Sequence, residues 1–295
     1  MTGQLFLGVD GGGSKTRARL RDEAGRLLGE ATAGAGNARL GDVAYAEIMK
    51  ACRAAAAAAG LAEADFARVH AGFGLAGTQQ DPDRDAIRDR PYPFASLVVD
   101  TDAYTSYLGA FRGADGAILI LGTGSGGLAV VKGRRLNVGG WGADIGDDGS
   151  GMAIGRLAIR KSLWAVEGMA PLTPLADDIL AEFDRKPANA VIWAGKAIPG
   201  DFARFAPRVF AYAGKGDALA VDILRHTAAD ATMLINRLVE LGAPAVAMIG
   251  GVFPRLYPWL SPETQAHLIE PPGDAMDGAI LMTERALKGI GTGRA

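Results

Sequence analysis

The stretch Leu119-Ile-Leu-Gly-Thr-Gly-Ser-Gly-Gly127 is an apolar run that ends in a turn of small residues, and the apolar run Leu128–Val131 follows. This pattern predicts a buried strand, a tight turn and a return strand. A similar unit lies near the N-terminus, where Leu5–Val9 is followed by the turn Asp10-Gly-Gly-Gly-Ser14 and by a strand beginning at Ala18. Turns of this kind offer backbone N–H groups to phosphate. Two such turns predict a two-lobed protein that holds one nucleotide from both sides, as a phosphotransferase does.

The elements around each turn predict an internal repeat. In the first half we expect strands over Gln4–Val9, Arg17–Arg21 and Arg26–Ala31, then a helix over Asp42–Ala59. In the second half we expect strands over Ala117–Leu121, Leu128–Val131 and Arg135–Val138, then a helix from Ser150. The polar turn Arg112–Gly116 is the candidate boundary between the two halves. The chain is therefore predicted to be an α/β protein of two lobes.

Two commoner glycine motifs do not fit their context. Gly122, Gly124 and Gly127 have the spacing of a dinucleotide-binding fingerprint, but a strand and not a helix follows them. The run Gly13-Ser14-Lys15-Thr16 is similar to a Walker loop, yet a serine separates the glycine from the lysine and the next element is again extended. We therefore interpret both turns as strand-to-strand connections.

Composition excludes several classes of protein. A net charge of −2 and a pI near 6.0 give no basic surface for a nucleic-acid backbone. No apolar run approaches the roughly 20 residues that span a bilayer, so no membrane segment is predicted and we place the protein in the cytoplasm. The single cysteine, Cys52, excludes an internal disulfide and a metal cluster held by several thiolates of one chain.

Taken together, the motifs resemble a known family from end to end. They are Asp10-Gly-Gly-Gly-Ser-Lys-Thr16, Asn37, Thr101-Asp102, Gly122-Thr-Gly-Ser125, Gly139-Gly-Trp-Gly142, Gly146-Asp-Asp-Gly-Ser150, Gly250-Gly251 and Asp277-Gly-Ala279. This order resembles the amino-sugar kinases of the BadF/BadG/BcrA/BcrD group, within the sugar kinase, Hsp70 and actin superfamily. The resemblance implies two ribonuclease-H-like (actin-like ATPase) lobes around an interlobe cleft, with ATP and Mg²⁺ in the cleft. It also implies phosphoryl transfer to the 6-hydroxyl of an amino sugar, and a homodimer.

The resemblance also suggests what each lobe does. Residues 1–114 would form the sugar and phosphate side, and residues 115–295 the nucleotide side with a helical insert at about 164–215. We expect the last helix, from Asp277 to Leu287, to pack back on the first lobe. The adenosine side of ATP would meet Gly250, Gly251, Asp277 and Gly278, although a glycine pair between a strand and a helix is also an ordinary connection.

The reacting end of the nucleotide has its own candidates. Phosphate-binding residues are predicted at Gly12, Gly13, Ser14, Lys15, Gly122, Thr123, Gly124 and Ser125. Asp10 at a strand end can hold Mg²⁺ directly or through water, although an Asp before glycines is also a common turn residue. A sugar hydroxyl needs a base for its proton, and we choose Asp102, which matches the base position of the family. The alternative for Asp102 or nearby Asp100 is to cap the next helix.

Sugar contacts are predicted from an amide, a carboxylate and a glycine loop. Asn37 and Asp147 can each pair with vicinal hydroxyls of the sugar, and Asp102 is also expected to contact it. Gly139 and Gly140 let the backbone approach the sugar closely. Asn37 has a plain alternative as a turn residue, and Asp147 or Asp148 as the N-cap of the helix at Ser150. Trp141 in the same loop could stack on a sugar or pack inside the protein.

Two departures from the family pattern bear on substrate choice. Gly126 stands where kinases of the acetylated sugar typically have asparagine, and Ala76 stands near a common serine. Fewer polar groups favour free glucosamine over N-acetylglucosamine, with Asp144 or Asp148 near the ammonium. Two other classes stay open at this point. One is the ATPase activator of a 2-hydroxyacyl-CoA dehydratase, which needs cluster-bridging cysteines, and the other is a sugar sensor without turnover.

Overall fold

A computed structural model of the chain describes residues 3–291. The predicted domain ranges also include residues 1–2 and 292–295, which lie outside the described residues. The strands are β1 Leu5–Gly11, β2 Thr16–Asp22, β3 Leu27–Ala33, β4 Val69–Leu75, β5 Ser96–Thr101, β6 Gly116–Leu121, β7 Ser125–Val131, β8 Arg134–Val138, β9 Val246–Ile249 and β10 Leu268–Ile269. The α-helices are α1 Asp42–Ala58, α2 Asp81–Arg88, α3 Asp102–Phe111, α4 Gly151–Val166, α5 Pro174–Ala181, α6 Pro187–Ala194, α7 Pro199–Ala203, α8 Ala206–Ala213, α9 Ala218–Glu240, α10 Phe253–Leu256, α11 Pro262–Gln265 and α12 Ala275–Leu287.

Two five-stranded sheets confirm the predicted α/β class. The first has the order β3-β2-β1-β4-β5 and the second the order β10-β9-β6-β7-β8. Read from the opposite edge, the second sheet has the same strand order as the first. In each sheet three consecutive strands form a meander, and two later strands lie beside the first strand of that meander. β1 is antiparallel to β2 and parallel to β4, which in turn is parallel to β5. This is the ribonuclease-H-like sheet, and it occurs twice.

The chain divides into two compact units. Among the described residues, the first comprises 3–118, 130–135 and 270–291, and the second comprises 119–129 and 136–269. This division gives the first unit three segments that the sequence-based ranges assigned to the second half: residues 115–118, 130–135 and 270–291. The assignment of a sugar side and a nucleotide side stays a prediction.

The first unit packs helices on both faces of its sheet. On one face, the apolar side chains of β1 and β4 form a core with Ile48, Met49 and Cys52 of α1, all of them buried. On the other face, α12 packs against β1, β4 and α3. The helix approaches β1 so closely that a Cβ atom added to Gly8 would lie 2.1 Å from the Met276 carbonyl oxygen. The C-terminal helix therefore completes the core of the first unit.

Several predicted boundaries change for local reasons. β7 begins at Ser125 and not at Leu128, because Gly122 closes the turn by donating its N–H to the Gly124 carbonyl at 2.9 Å. α12 begins at Ala275 and not at Asp277, because the Asp274 carboxylate accepts from the Asp277 N–H and caps the helix. No helix of residues 3–291 is both long and apolar enough to cross a membrane.

Candidate functional site

The N-terminal glycine turn is held by its own backbone and leaves its tip open. The Gly12 N–H donates to the Lys15 carbonyl at 2.9 Å, and the Gly12 carbonyl accepts from Gly36 at 3.0 Å. Gly13, Ser14 and Lys15 are exposed, and a Cβ atom on Gly13 would meet nothing within 4 Å. The turn therefore presents backbone and a hydroxyl to solvent, as a phosphate-binding turn must.

Asp10 is the penultimate residue of β1 and is paired with an arginine. The Arg17 Nη2 donates to Asp10 Oδ2 at 2.7 Å, and its Nη1 lies 3.7 Å from Asp274 Oδ2. Residues 3–291 hold no cluster of three or more His, Cys, Asp or Glu that could enclose a metal. Mg²⁺ bound with a nucleotide needs no such cluster, since it keeps waters and takes phosphate oxygens with one or two carboxylates. Asp10 fits that pattern.

Asp102 is the first residue of α3, where its carboxylate faces no cation in the described chain. Thr101 caps the helix, because its Oγ1 accepts from the Tyr104 N–H at 3.1 Å, so neither Asp100 nor Asp102 is the cap. The Asp102 Oδ1 accepts from the adjacent Ala103 N–H at 2.9 Å. Burial is the main cause that raises the pKa of Asp102 to about 6, and the negative charge of the Asp10 carboxylate is the second. A carboxyl with such a pKa can accept a proton near neutral pH.

Asp100, the neighbouring carboxylate, is engaged elsewhere. Its side chain is almost fully buried, and Arg135 Nη1 lies 3.0 Å from both of its carboxylate oxygens. Its Oδ1 also accepts from the Thr101 N–H at 2.8 Å. Of the two acids in this segment, Asp102 is therefore the better placed to receive a proton.

The raised pKa of Asp102 predicts a pH dependence of turnover. A base must be ionised, so kcat/KM should rise as the pH increases and level off above about 6, the pKa of Asp102. Steady-state rates measured from pH 4.5 to 8 test this point. A limb centred near the ordinary aspartate value of about 4 would contradict it.

Asn37 serves as a turn residue in the structure. Its Oδ1 accepts from the Arg39 N–H at 3.0 Å and so caps a short 3₁₀ helix, Ala38–Leu40. A Cβ atom on Gly77 would lie 2.3 Å from the same oxygen. The Asn37 side-chain nitrogen makes no hydrogen bond within the described chain, so it is available to a ligand. The sugar contact stays a prediction.

In the second unit, the turn Gly122–Gly124 is packed against the start of α4. The carbonyls of Gly122 and Thr123 accept from the N–H groups of Gly151 and Met152, at 2.8 and 3.1 Å. Ser125 is buried and its Oγ donates to the Asp148 carbonyl at 2.7 Å, whereas Thr123 is exposed. The Ser125 hydroxyl therefore holds the turn in place, and Thr123 is the hydroxyl that faces outward.

Asp147 brings this turn together with the glycine loop that begins at Gly139. A Cβ atom on Gly124 would lie 2.6 Å from Asp147 Oδ2, and one on Gly126 would lie 3.3 Å from the Gly140 Cα. Burial raises the pKa of Asp147, while hydrogen bonds from the Ser125 and Gly142 backbone act in the opposite direction. The N-cap of α4 is Ser150, whose Oγ accepts from Ala153, so Asp147 does not serve as that cap.

Trp141 lies in the same loop with its side chain in solvent. It is 75% exposed, and Ile145 four residues later is 84% exposed. The alternative in which Trp141 packs inside the protein is therefore wrong. A large apolar surface left open beside a candidate site is typical of a ligand contact.

The four residues predicted for the adenosine side fall in different units. Gly250 and Gly251 lie in the second unit, where a Cβ atom on Gly250 would come 2.3 Å from the Leu121 carbonyl oxygen. Asp277 lies in the first unit, where its Oδ1 is 2.6 Å from Arg19 Nη1 and 2.7 Å from Arg21 Nη2. Gly278 packs against α3, so both Asp277 and Gly278 hold α12 in place. Their contact with nucleotide stays a prediction.

Sequence reasoning missed the arginines that support these acids. Arg17, Arg19 and Arg21 alternate along β2 and so share one face of the sheet, a signal that could have been read from their spacing. Arg135 lies more than thirty positions from its partner Asp100, and no local pattern connects them.

The duplicated sheet, with a glycine turn in each unit, defines the class of proteins with the actin-like ATPase fold, to which sugar kinases belong. The model of the BadF/BadG/BcrA/BcrD ATPase family matches residues 7–281, and the chain belongs to that family. It is 39% identical over 277 residues to the glucosamine kinase GspK of Vibrio cholerae, covering 94% of each chain. It is 28% identical over 249 residues to an N-acetylmuramic acid/N-acetylglucosamine kinase of Clostridium acetobutylicum, covering 81% of this chain and 80% of the relative.

A solved structure gives the same result. A Chromobacterium violaceum protein assigned as an N-acetylglucosamine kinase is 34% identical, with a TM-score of 0.89 over 95% of this chain and 99% of that one. A glucokinase of the ROK family from Streptomyces griseus, at 21% identity and a TM-score of 0.57, shares the fold. The chain is a sugar kinase of this fold.

Proposed function

We propose that the chain transfers the γ-phosphoryl group of ATP to the 6-hydroxyl of glucosamine, with Asp102 as the general base. The observation that carries the proposal is the Asp102 carboxylate, which is partly buried, has no cationic partner among residues 3–291 and has a pKa raised to about 6. The glucosamine kinase of Vibrio cholerae, similar over 94% of each chain, supports the substrate class.

Phosphoryl transfer depends on positioning and on stabilising charge. The backbone of Gly13 and Ser14 and the exposed Thr123 would hold the phosphate oxygens, each from its own turn. Asp10 would hold Mg²⁺, which supplies positive charge to the phosphates when bound. Lys15 is exposed at the tip of the first turn and is a second source of positive charge.

The sugar would be held by side chains with complementary hydrogen-bonding groups. The Asn37 amide and the Asp147 carboxylate can each bind vicinal hydroxyls, and Trp141 offers its exposed face to the pyranose ring. Asp102 would take the proton of the 6-hydroxyl as the oxygen attacks phosphorus. Exclusion of water by closure over the sugar would favour transfer over hydrolysis.

The glycine loop supports free glucosamine over the acetylated sugar. At position 126, where an asparagine would contact the acetamide, a side chain would press on the Gly140 backbone at 3.3 Å. Asp144 and Asp148 are exposed on the adjoining loop and would balance an ammonium group. N-acetylglucosamine is the alternative substrate, because the Clostridium acetobutylicum relative is an N-acetylmuramic acid/N-acetylglucosamine kinase.

The two other classes are less well supported. An activator of a 2-hydroxyacyl-CoA dehydratase would bridge a cluster with thiolates, but Cys52 is fully buried in α1, and burial raises its pKa to about 12. A sugar sensor would bind ATP without releasing ADP. Cytoplasmic location and a homodimer stay predictions, the second of which sedimentation can test.

A substrate panel tests the proposed function. We expect ADP release with glucosamine, a kcat/KM for N-acetylglucosamine at least tenfold lower, and a lower value again for glucose, which lacks the ammonium. Discrimination of this size is ordinary for a site that makes few polar contacts with the group by which the sugars differ, here the substituent at the amino position. Phosphorus NMR of the product identifies the phosphorylated hydroxyl. Equal values for the two amino sugars would remove the preference for glucosamine, and no ADP with any hexose would overturn the proposal.

A further inference from the structure

We propose that Arg135 is a positioning residue that fixes the corner between β5 and α3 and thereby sets the direction of the Asp102 carboxylate. This inference rests on the proposed function of Asp102 as the base. It concerns a residue that the glycine motifs do not include. Arg135 belongs to the segment 130–135 of the first unit, the tip of the hairpin formed by β7 and β8.

Arg135 makes two kinds of contact with this corner. Its Nη1 lies 3.0 Å from both carboxylate oxygens of Asp100, the penultimate residue of β5. Its guanidinium carbon lies 3.2 Å from the centre of the Tyr104 ring, so the planar group is stacked on the aromatic face. One side chain thus holds a residue on each side of Asp102.

The residues held by Arg135 in turn fix the backbone of the corner. Asp100 Oδ1 accepts from the Thr101 N–H at 2.8 Å, and the Asp100 carbonyl accepts from Thr78 Oγ1 at 3.2 Å. Thr101 Oγ1 caps α3 through the Tyr104 N–H. Asp102 lies between these bonds and is paired with no cation in the part of the chain that the structure describes, so its direction follows from theirs.

Tyr104 is itself anchored from the far side. It is buried and stacks on Tyr107 with ring centres 5.8 Å apart, and the Tyr107 hydroxyl donates to the Ala114 carbonyl at 2.8 Å. The hairpin tip is fixed independently of Arg135, because the Lys132 N–H donates to Asp115 Oδ1 at 2.8 Å. Arg135 therefore connects two supports that are already rigid, an arrangement suited to precise placement.

The required precision is high in phosphoryl transfer. A displacement of about 1 Å of a reacting group can lower the rate by about a hundredfold. Lysine cannot replace arginine here, since it has neither the planar stack on Tyr104 nor a donor of the same geometry for Asp100.

The test compares R135M, R135K and the double variant D100N/R135M with R68M. Arg68 pairs with Asp65 at 3.1 Å in the same unit, away from Asp102, and so provides the matched control. We expect R135M to lower kcat for glucosamine about 10- to 100-fold while KM for ATP changes less than threefold. R135K should fall between R135M and wild type, and R68M should keep wild-type kcat.

Two further measurements separate positioning from stability and from the proposed function. If R135M does not fold because the buried Asp100 carboxylate has lost Arg135, D100N/R135M removes that charge and should show the same loss of kcat. Hydrogen exchange of the amides of residues 101–105 should become at least tenfold faster in the Arg135 variants and stay unchanged in R68M. Exchange needs no substrate, so it tests the positioning role of Arg135 even if the protein phosphorylates no hexose. A protein that phosphorylates no hexose would overturn the proposed function but not the role of Arg135 in holding this corner. Unchanged exchange, or a folded Arg135 variant with wild-type kcat, would overturn the inference.

Discussion

Replacing Asp102 by Asn should lower kcat for the sugar by about 10²- to 10⁴-fold, the usual contribution of a positioned base. The amide keeps the size of the carboxylate and its bond from the Ala103 N–H, but it cannot take the proton of the hydroxyl. Binding of ATP and sugar should change little, because the variant retains the surrounding contacts. Initial rates of ADP release together with calorimetric titration of both ligands separate the two effects.

The same variant makes an independent prediction for stability. Because the folded protein raises the pKa of Asp102 above the value of an unfolded chain, the fold favours the protonated form. Its ionisation therefore costs stability as the pH rises from about 4 to above 6, and D102N should lack this loss. Unfolding by urea at pH 7.5 should show D102N to be at least as stable as wild type. An inactive variant that was also destabilised would point to a damaged fold and would contradict the assignment of Asp102 as the base.

Replacing Gly278 by Ala should destabilise the first unit by about 3 kcal/mol, near the upper end of ordinary overpacking. The added Cβ atom would lie 1.8 Å from the Thr105 carbonyl oxygen and 2.6 Å from the Gly109 nitrogen. Both are backbone atoms of α3, so they cannot turn aside as a side chain could. The clash outweighs the roughly 1 kcal/mol that alanine gains over glycine inside a helix. Urea unfolding measures the change.

A matched control uses another helical glycine. Gly200 in α7 has open space around its Cβ position, so G200A should be neutral or slightly stabilising. The comparison also decides between two roles for Gly278. If this glycine serves nucleotide binding alone, G278A would raise KM for ATP and leave the unfolding curve unchanged.

Local pattern was sufficient to predict the strands, the turns and their duplication. The apolar runs before Asp10 and before Gly122 end where charge or glycine begins, and the structure confirms a strand in each place. Asp102 could be chosen because it follows such a strand and because the Thr101-Asp102 pair resembles the base position of the family. These signals are short in sequence, since a strand and its turn span only a dozen residues.

What could not be predicted depends on distant residues. Whether Asp100 or Asp102 is the available acid follows from Arg135, which only the folded chain brings to Asp100. The surroundings of Asp277 follow in the same way from Arg19 and Arg21 on β2. An alternation of charges shows that side chains share a face, but it does not show which element covers that face.

The position of α12 in the chain, after the residues of the second unit, affects how the first unit folds during synthesis on the ribosome. The nascent first unit carries an uncovered sheet face until residues 270–291 emerge, because the helix that covers β1 and β4 follows residues 119–269 in the chain. At about 5 to 20 residues per second, the intervening segment 119–269 delays that event by roughly 8 to 30 seconds. During this interval the sheet face that α12 covers in the folded protein lacks its native partner.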